Sequence, residues 1–290
     1  MLPTVIFLKY DLVSSKAVET ISQTIALEFN EFGSGLKQVR IVVIIRRAQM
    51  ETFRTDATKR FEDEMIAHTE EFSPQLCEVL GEQQLRIAIR QDIEKANLYR
   101  FSTKGPIRLY TELTFLFGSH FDTDPQYTTA GEILRSPGDQ MLRAQDLHEW
   151  ADDYLDVVSG PENANVNRAL HELHSLSQRT LNISSDIRST LLNEVSRIYP
   201  EKFDYLGDNR VKELINEGLS VAQHHDFIEP RHQTLIVCLM FAFGHGCMND
   251  ALYPWISRTL LDQRIVGVTA RVERLERKAL TWLEHVLARQ

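Results

Sequence analysis

The sequence predicts an all-α protein made of two tandem copies of one helical unit, preceded by a short segment containing β-strands. Three observations carry this. From residue 47 onward apolar residues recur at steps of three and four, the spacing that lines one face of an α-helix. Glycine and proline punctuate these runs at intervals of one helix length. Shifted by 126 positions, the chain aligns with itself without a gap. The predicted organisation is an N-terminal extension over 1–46, a first helical repeat over 47–158, a linker over 159–165 and a second repeat over 166–290.

Residues 1–46 stand apart. Thr4–Lys9 and Val39–Ile45 ("VRIVVII") are rich in β-branched residues and too short for buried helices, which predicts two strands. Between them Ser15 can cap a helix whose Val18, Ile21, Ile25, Phe29 and Phe32 share one face, ending near Gly33-Ser34-Gly35. The first repeat then opens with Met50, Phe53, Ala57, Phe61 and Met65 as one apolar stripe. Pro74, Gly81, Pro106, Gly118 and Pro125 separate further helices, and Leu147, Trp150, Ala151, Tyr154, Leu155 and Val158 mark an amphipathic helix before the linker "SGPENAN".

The self-alignment places Pro74 on Pro200, Leu80-Gly81 on Leu206-Gly207, Ile89 on Ile215, Ala96 on Ala222 and Phe101 on Phe227. It is densest in "TELTFLFGSHFDTDPQYTTAGEIL" (111–134), where Leu113, Phe115, Phe117 and Gly118 meet Leu239, Phe241, Phe243 and Gly244. Asp124, Tyr127 and Leu134 there meet Asp250, Tyr253 and Leu260. These matches fall at apolar, glycine and proline positions, which fix helix faces and boundaries, so they predict a duplication. The aromatic pairs Phe115/Phe117 and Phe241/Phe243 stand at i and i+2; one narrow stripe cannot hold both members, so these two helices should be buried around much of their circumference.

Composition bounds the function. The chain has 290 residues, 43% hydrophobic and 25% charged, with a formal charge of −9. No run approaches the roughly 18 apolar residues of a membrane span. The acidity argues against a nucleic-acid partner, which requires a basic surface, and favours a protein. Cys77, Cys238 and Cys247 match no zinc spacing and read as reduced thiols. The N-terminus lacks a basic leader and a small-residue cleavage site, so the expectation is a cytoplasmic protein without a membrane partner.

Four constellations invite a chemical reading. Asp122-x-Asp124 could hold a hard cation, but Met248 stands at the place of Asp122 in the second copy while Asp250 matches Asp124. The shared feature is an acidic helix cap, and capping is the preferred reading. "QHHDF" contains the His225-Asp226 doublet of metal-dependent phosphohydrolases, with His174 and Asp250 as nominal partners; the first copy has "LYRF" there, and a helix C-terminus followed by a turn explains it. Arg143 and His148 have the Arg-x4-His form of HEPN ribonucleases, with Arg168–His174 a looser version; the acidic chain gives it no basic flank. Cys238, His245 and Cys247 resemble a ligand set, yet Cys238 lies inside an apolar run, where cysteine packs as a small hydrophobe. No metal site and no cofactor is expected.

"IRRAQMETFRTDATKRFEDEMIAHTEEFSPQLCEVLG" (45–81) followed by "YTELTFLFGSHFDTDPQYTTAGEIL" (110–134) resembles a family of small helical bacterial proteins encoded beside type VI secretion effector, PAAR-tip and chaperone genes. Arg46, Gln49, Met50, Phe121, Asp122, Asp124 and Pro125 carry the resemblance in the first copy, and Pro254-Trp255 in the second. It implies an accessory or co-chaperone role: an adaptor, not an enzyme, that binds an effector protein or its dedicated chaperone before loading. The family offers no catalytic residues.

The expected contacts are an aromatic-lined groove between the two units that takes an apolar helix, and an edge of the Val39–Ile45 strand. Candidate protein-binding residues are therefore Val39, Ile41, Val43, Ile45, Asp122, Asp124, Tyr127, Tyr253 and Trp255. The alternatives are an immunity protein that inhibits a toxin and a HEPN-like ribonuclease.

Overall fold

A computed structural model describes residues 47–176, 179 and 186–287, and these are helical, with no strand among them. The expected strands at Thr4–Lys9 and Val39–Ile45, with Val39, Ile41, Val43 and Ile45, lie outside the described residues. The described residues divide into two compact units at Glu64/Met65, the larger running on from Met65. Of the smaller, the described part is the beginning of helix α1 (Arg47–Phe72).

The larger unit continues with α2 (Pro74–Leu98), α3 (Lys104–Phe117), α4 (Thr128–Arg135) and α5 (Gln140–Tyr154). After a connection come α6 (Ala164–Leu176), α7 (Ile187–Ile198), α8 (Pro200–Leu206), α9 (Asp208–His224), α10 (Pro230–Phe243), α11 (Pro254–Leu260) and α12 (Val268–Leu287). The starts have local causes. Proline occupies the first turn of α2, α8, α10 and α11, where its missing N–H is harmless. Asp139 and Asp186 accept the first free N–H groups of α5 and α7.

Many of these bounds recur 126 residues apart. Gly81 (φ 72°, ψ 158°) interrupts α2 and Gly207 (φ 73°, ψ 160°) separates α8 from α9. Arg100 and Asp226, after α2 and α9, adopt φ of 61° and 62°. Gly118 and Gly244 end α3 and α10 with φ of 97° and 91°.

The core gathers on α3 and α10. From Tyr110 to Phe115 every side chain of α3 is buried, and so is Ile236–Phe241 of α10, the all-round burial that the i, i+2 aromatics require. Helix α9 lies against α10 so closely that a Cβ on Gly218 would stand 2.7 Å from Val237. Phe117 is enclosed by Tyr127, Trp150 and Tyr154, with ring centroids 4.8, 5.4 and 5.3 Å away. Phe243 is enclosed in the same manner by Tyr253 and Trp282, at 4.5 and 4.6 Å.

The connection is more ordered than a linker over 159–165 suggests. Regular helix ends at Tyr154, the turn Leu155–Ser159 is wider, and Val158 and Ser159 are buried. Gly160 (φ 70°) turns the chain, and Pro161–Asn163 forms a tight turn in which Glu162 and Asn163 hold φ of 52° and 62°. Ala164 and Asn165 already belong to α6.

Candidate functional site

The segments following α3 and α10 meet at the junction between the half that ends at Ser159 and the half that begins at Ala164. Each half supplies a carboxylate to the other. The His245 N–H donates to Asp124 Oδ2 at 2.6 Å, and the Ser119 N–H donates to Asp250 Oδ2 at 2.8 Å. The donors are the residues immediately after Gly244 and Gly118, so the two bonds join positions 126 apart in reciprocal fashion. Each aspartate also caps its own turn: Asp124 accepts from the Gln126 N–H, Asp250 from the Leu252 N–H, both at 2.8 Å. Ser119 Oγ adds a bond to Asp250 at 2.5 Å.

Glycine is required where the chains cross. A Cβ on Gly118 would lie 2.6 Å from the Phe243 carbonyl oxygen, and one on Gly244 would lie 3.0 Å from that of Phe117; the positive φ of both is a second reason. Further bonds tie the halves together. Gln126 Nε2 donates to the Met240 carbonyl, Gln84 Nε2 to that of Ala251, and Arg210 to Thr128 Oγ1. The His120 ring lies where a side chain at position 246 would be, since a Cβ on Gly246 would fall 2.2 Å from its Cδ2. Positions 120 and 246 are themselves 126 apart.

Around this shared frame the halves differ in chemistry. The first carries a buried polar cluster. Asp92 accepts from Thr114 Oγ1 at 3.1 Å, and Asp122 Oδ2 accepts from the Tyr99 hydroxyl at 2.7 Å. Lys95 donates to the Ser119 carbonyl. Asp92 Oδ2, Asp122 Oδ1 and the Tyr110 hydroxyl are buried without a well-formed hydrogen bond, the Tyr110 phenol lying beside Asp122. Burial, reinforced by the charges of Asp250 and Asp122, holds the Asp92 carboxyl well above the ordinary range, against the opposing Thr114 bond and Lys95 ammonium. Burial and then Asp122 raise the Tyr110 phenol. At the positions 126 residues on, the second half has Gly218 for Asp92, Met240 for Thr114, Ile236 for Tyr110, Met248 for Asp122 and Val221 for Lys95. Ile236, Met240 and Met248 are buried in one apolar cluster, Val221 packs against it, and Gly218 is buried on α9. The frame therefore closes equally with an apolar filling.

Two further charged groups sit at the junction. Burial raises Asp124, opposed by the charge of His245 and by the bonds from the His245 and Gln126 N–H groups. Lys202 is buried, donates to the Phe241 carbonyl at 3.0 Å and lies over the Tyr127 and Tyr199 rings. Burial lowers its pKa to about 8, against the attraction of Asp124. On the outer side, His245 Nδ1 meets Glu217 at 2.9 Å and its Nε2 meets Thr123 Oγ1 at 3.1 Å.

The sequence-selected residues fall in several places. Asp122, Asp124 and Tyr127 come together at the junction, where all three are buried. Tyr253 and Trp255 are half-buried against Phe243. Asp124 caps the short turn Pro125–Tyr127, whereas Asp250 accepts from the Leu252 N–H in a turn ahead of α11, whose N-cap is Tyr253.

Arg143 is buried, donates to the Leu134 and Tyr99 carbonyls and lies on the Phe101 ring, whereas the half-exposed His148 pairs with Asp152. His225 follows the end of α9, with Asp226 in the left-handed turn. Among the described residues no group of three or more His, Cys, Asp or Glu is placed to share a metal ion. Sequence reasoning missed Asp92, although a signal existed: it falls on the apolar stripe of Leu85, Ala88, Ile89 and Ala96, where a carboxylate has no ordinary place.

At Gly118 and Gly244 the space between the halves is closed, because backbone meets backbone there. A small apolar cavity of about 80 Å³ lies within the second half, between α6, α10 and α12. Leu173, Leu176, Leu235, Leu239, Leu280 and Leu283 are among its walls; Arg179, Arg231 and Glu276 also line it. Arg231 pairs with Glu276 at 2.6 Å. No protein-family model, no curated protein and no solved structure matches the chain.

Proposed function

We propose that this chain is a protein-binding adaptor of two tandem copies of one helical unit, and that it holds its partner in the cavity between α6, α10 and α12. The observation that carries the reading is that cavity: leucine-walled and bordered by an Arg231–Glu276 pair, the kind of apolar surface against which a hydrophobic side chain of a partner helix docks. The tandem reading is supported by helix bounds, backbone angles and reciprocal bonds that recur 126 residues apart. The motif resemblance supplies the partner class, an effector of a type VI secretion system or its dedicated chaperone, met in the cytoplasm before loading.

The test is capture of tagged full-length chain from cells carrying its neighbouring genes, beside a Leu280→Glu variant. Leu280 is half-buried and lines the cavity, so a carboxylate there faces an apolar partner without replacing a fully buried residue. The expected outcome is an effector or chaperone bound by the wild type and retained at least about 10-fold less by the variant, a loss of about 1.4 kcal/mol. Equal capture by both would remove the cavity from the mechanism. Self-intoxication on deletion of the gene, in place of lost effector export, would instead indicate an immunity protein.

A further inference from the structure

We propose that two copies of this chain exchange halves, so that the half ending at Ser159 in one copy packs on the half beginning at Ala164 in the other. The proposal rests on the two-half reading above and makes no use of the adaptor role. The first support is the form of the junction. His245 N–H to Asp124 and Ser119 N–H to Asp250 each join one half to the other, as do the Gln126–Met240, Gln84–Ala251 and Arg210–Thr128 bonds. None of them depends on which chain supplies the partner half, so an exchanged dimer keeps all of them twice over.

The second support is the connection itself. Glu162 and Asn163 are consecutive non-glycine residues with φ of 52° and 62°, a conformation that L side chains enter at a cost. They stand in Gly160-Pro161-Glu162-Asn163, directly after the buried Ser159. A connection running from one chain body to another has no need of this reversal and can extend, which releases the strain while the rest of the fold is unchanged. Exchange of an identical element is a low-cost route to a dimer when the hinge is short and strained. The monomer is favoured by the high effective concentration of its tethered halves, so the dimer forms when the chain refolds at high protein concentration.

The experiment uses the full chain, unfolded in denaturant, refolded at high and low concentration and sized by light scattering. A dimer fraction that rises with refolding concentration is expected. Glu162→Gly with Asn163→Gly removes the strain from the closed hinge and is expected to lower the dimer association constant by about 10-fold or more. Exchange is then read directly with Gln84→Glu and Arg258→Lys, at a contact that crosses the junction at 3.3 Å. A carbodiimide joins these side chains within a mixture of light and heavy isotope-labelled chains. Light–heavy cross-links between positions 84 and 258 in the dimer are expected. A chain that stays monomeric at every concentration, a dimer indifferent to the glycine substitutions, or a dimer with only same-isotope cross-links overturns the proposal. No partner protein is present, so any of these results leaves the adaptor reading to its own test.

Discussion

Asp250→Ala tests whether the reciprocal bonds at the junction hold the halves together. The carboxylate is 2% exposed and accepts from the Ser119 N–H, the Ser119 hydroxyl and the Leu252 N–H, at 2.8, 2.5 and 2.8 Å. A hydrogen bond to a charged acceptor contributes about 1.5–3 kcal/mol, and a buried donor left alone costs about 1–3 kcal/mol. Two N–H groups are orphaned, while the serine hydroxyl can rotate to another acceptor. These terms overlap, so the expected loss is about 3–5 kcal/mol, near the upper end for single substitutions.

For a domain of this size 1 kcal/mol moves the unfolding midpoint by about 2–4 °C, which gives a fall of about 6–20 °C. Asp250→Asn retains the oxygen facing Leu252 but sets an amide against the Ser119 N–H, and should lose about half as much. Asp124→Ala removes the reciprocal bond, and because the sites share one junction the double variant should lose less than the sum. The assay is thermal unfolding followed by circular dichroism at 222 nm, with denaturant unfolding as a second measure. A midpoint within about 2 °C of wild type for Asp250→Ala would show that the junction is held by packing alone.

Other outcomes follow from the same geometry. Asp92→Asn should stabilise the protein at neutral pH. Burial raises the folded-state pKa of Asp92, so its contribution is fully present below the unfolded-state value and is lost as pH rises through the folded value. Each unit of elevation corresponds to about 1.4 kcal/mol. Chemical denaturation from pH 4 to pH 8 should therefore show the variant gaining on wild type as pH rises, and parallel curves would refute it. Gly118→Ala should destabilise by more than about 2 kcal/mol, since it adds left-handed strain to a 2.6 Å contact with the Phe243 carbonyl. Gly244→Ala, with 3.0 Å to the Phe117 carbonyl, should cost less, and the reverse order in denaturant midpoints would count against the crossing described.

Helix positions were legible in the sequence because their causes are local. Pro74, Pro200, Pro230 and Pro254 start helices, and Gly118 and Gly244 end them, by backbone constraints that act within one turn. Asp124 was legible as a cap for the same reason. Its second partner, the His245 N–H, was not, because a backbone donor carries no residue signature and lies 121 positions away. The burial of Asp122 and Tyr127 was not legible for a related reason: the i, i+2 aromatics announced a buried helix but not what would cover its end. The cavity in the second half could not be read at all, since it is a shortfall in packing among α6, α10 and α12 and each of its leucines is ordinary on its own helix. Asp92 could have been read, as a carboxylate on an apolar face.

The contact between His120 and Gly246 decides which halves can meet. At these paired positions the halves approach so closely that the space admits one imidazole. Two first halves would bring two imidazoles into that space, and two second halves would leave it bare. The glycine at 246 is therefore what makes room for the His120 ring, and the two paired positions differ in size as a ring and its socket do.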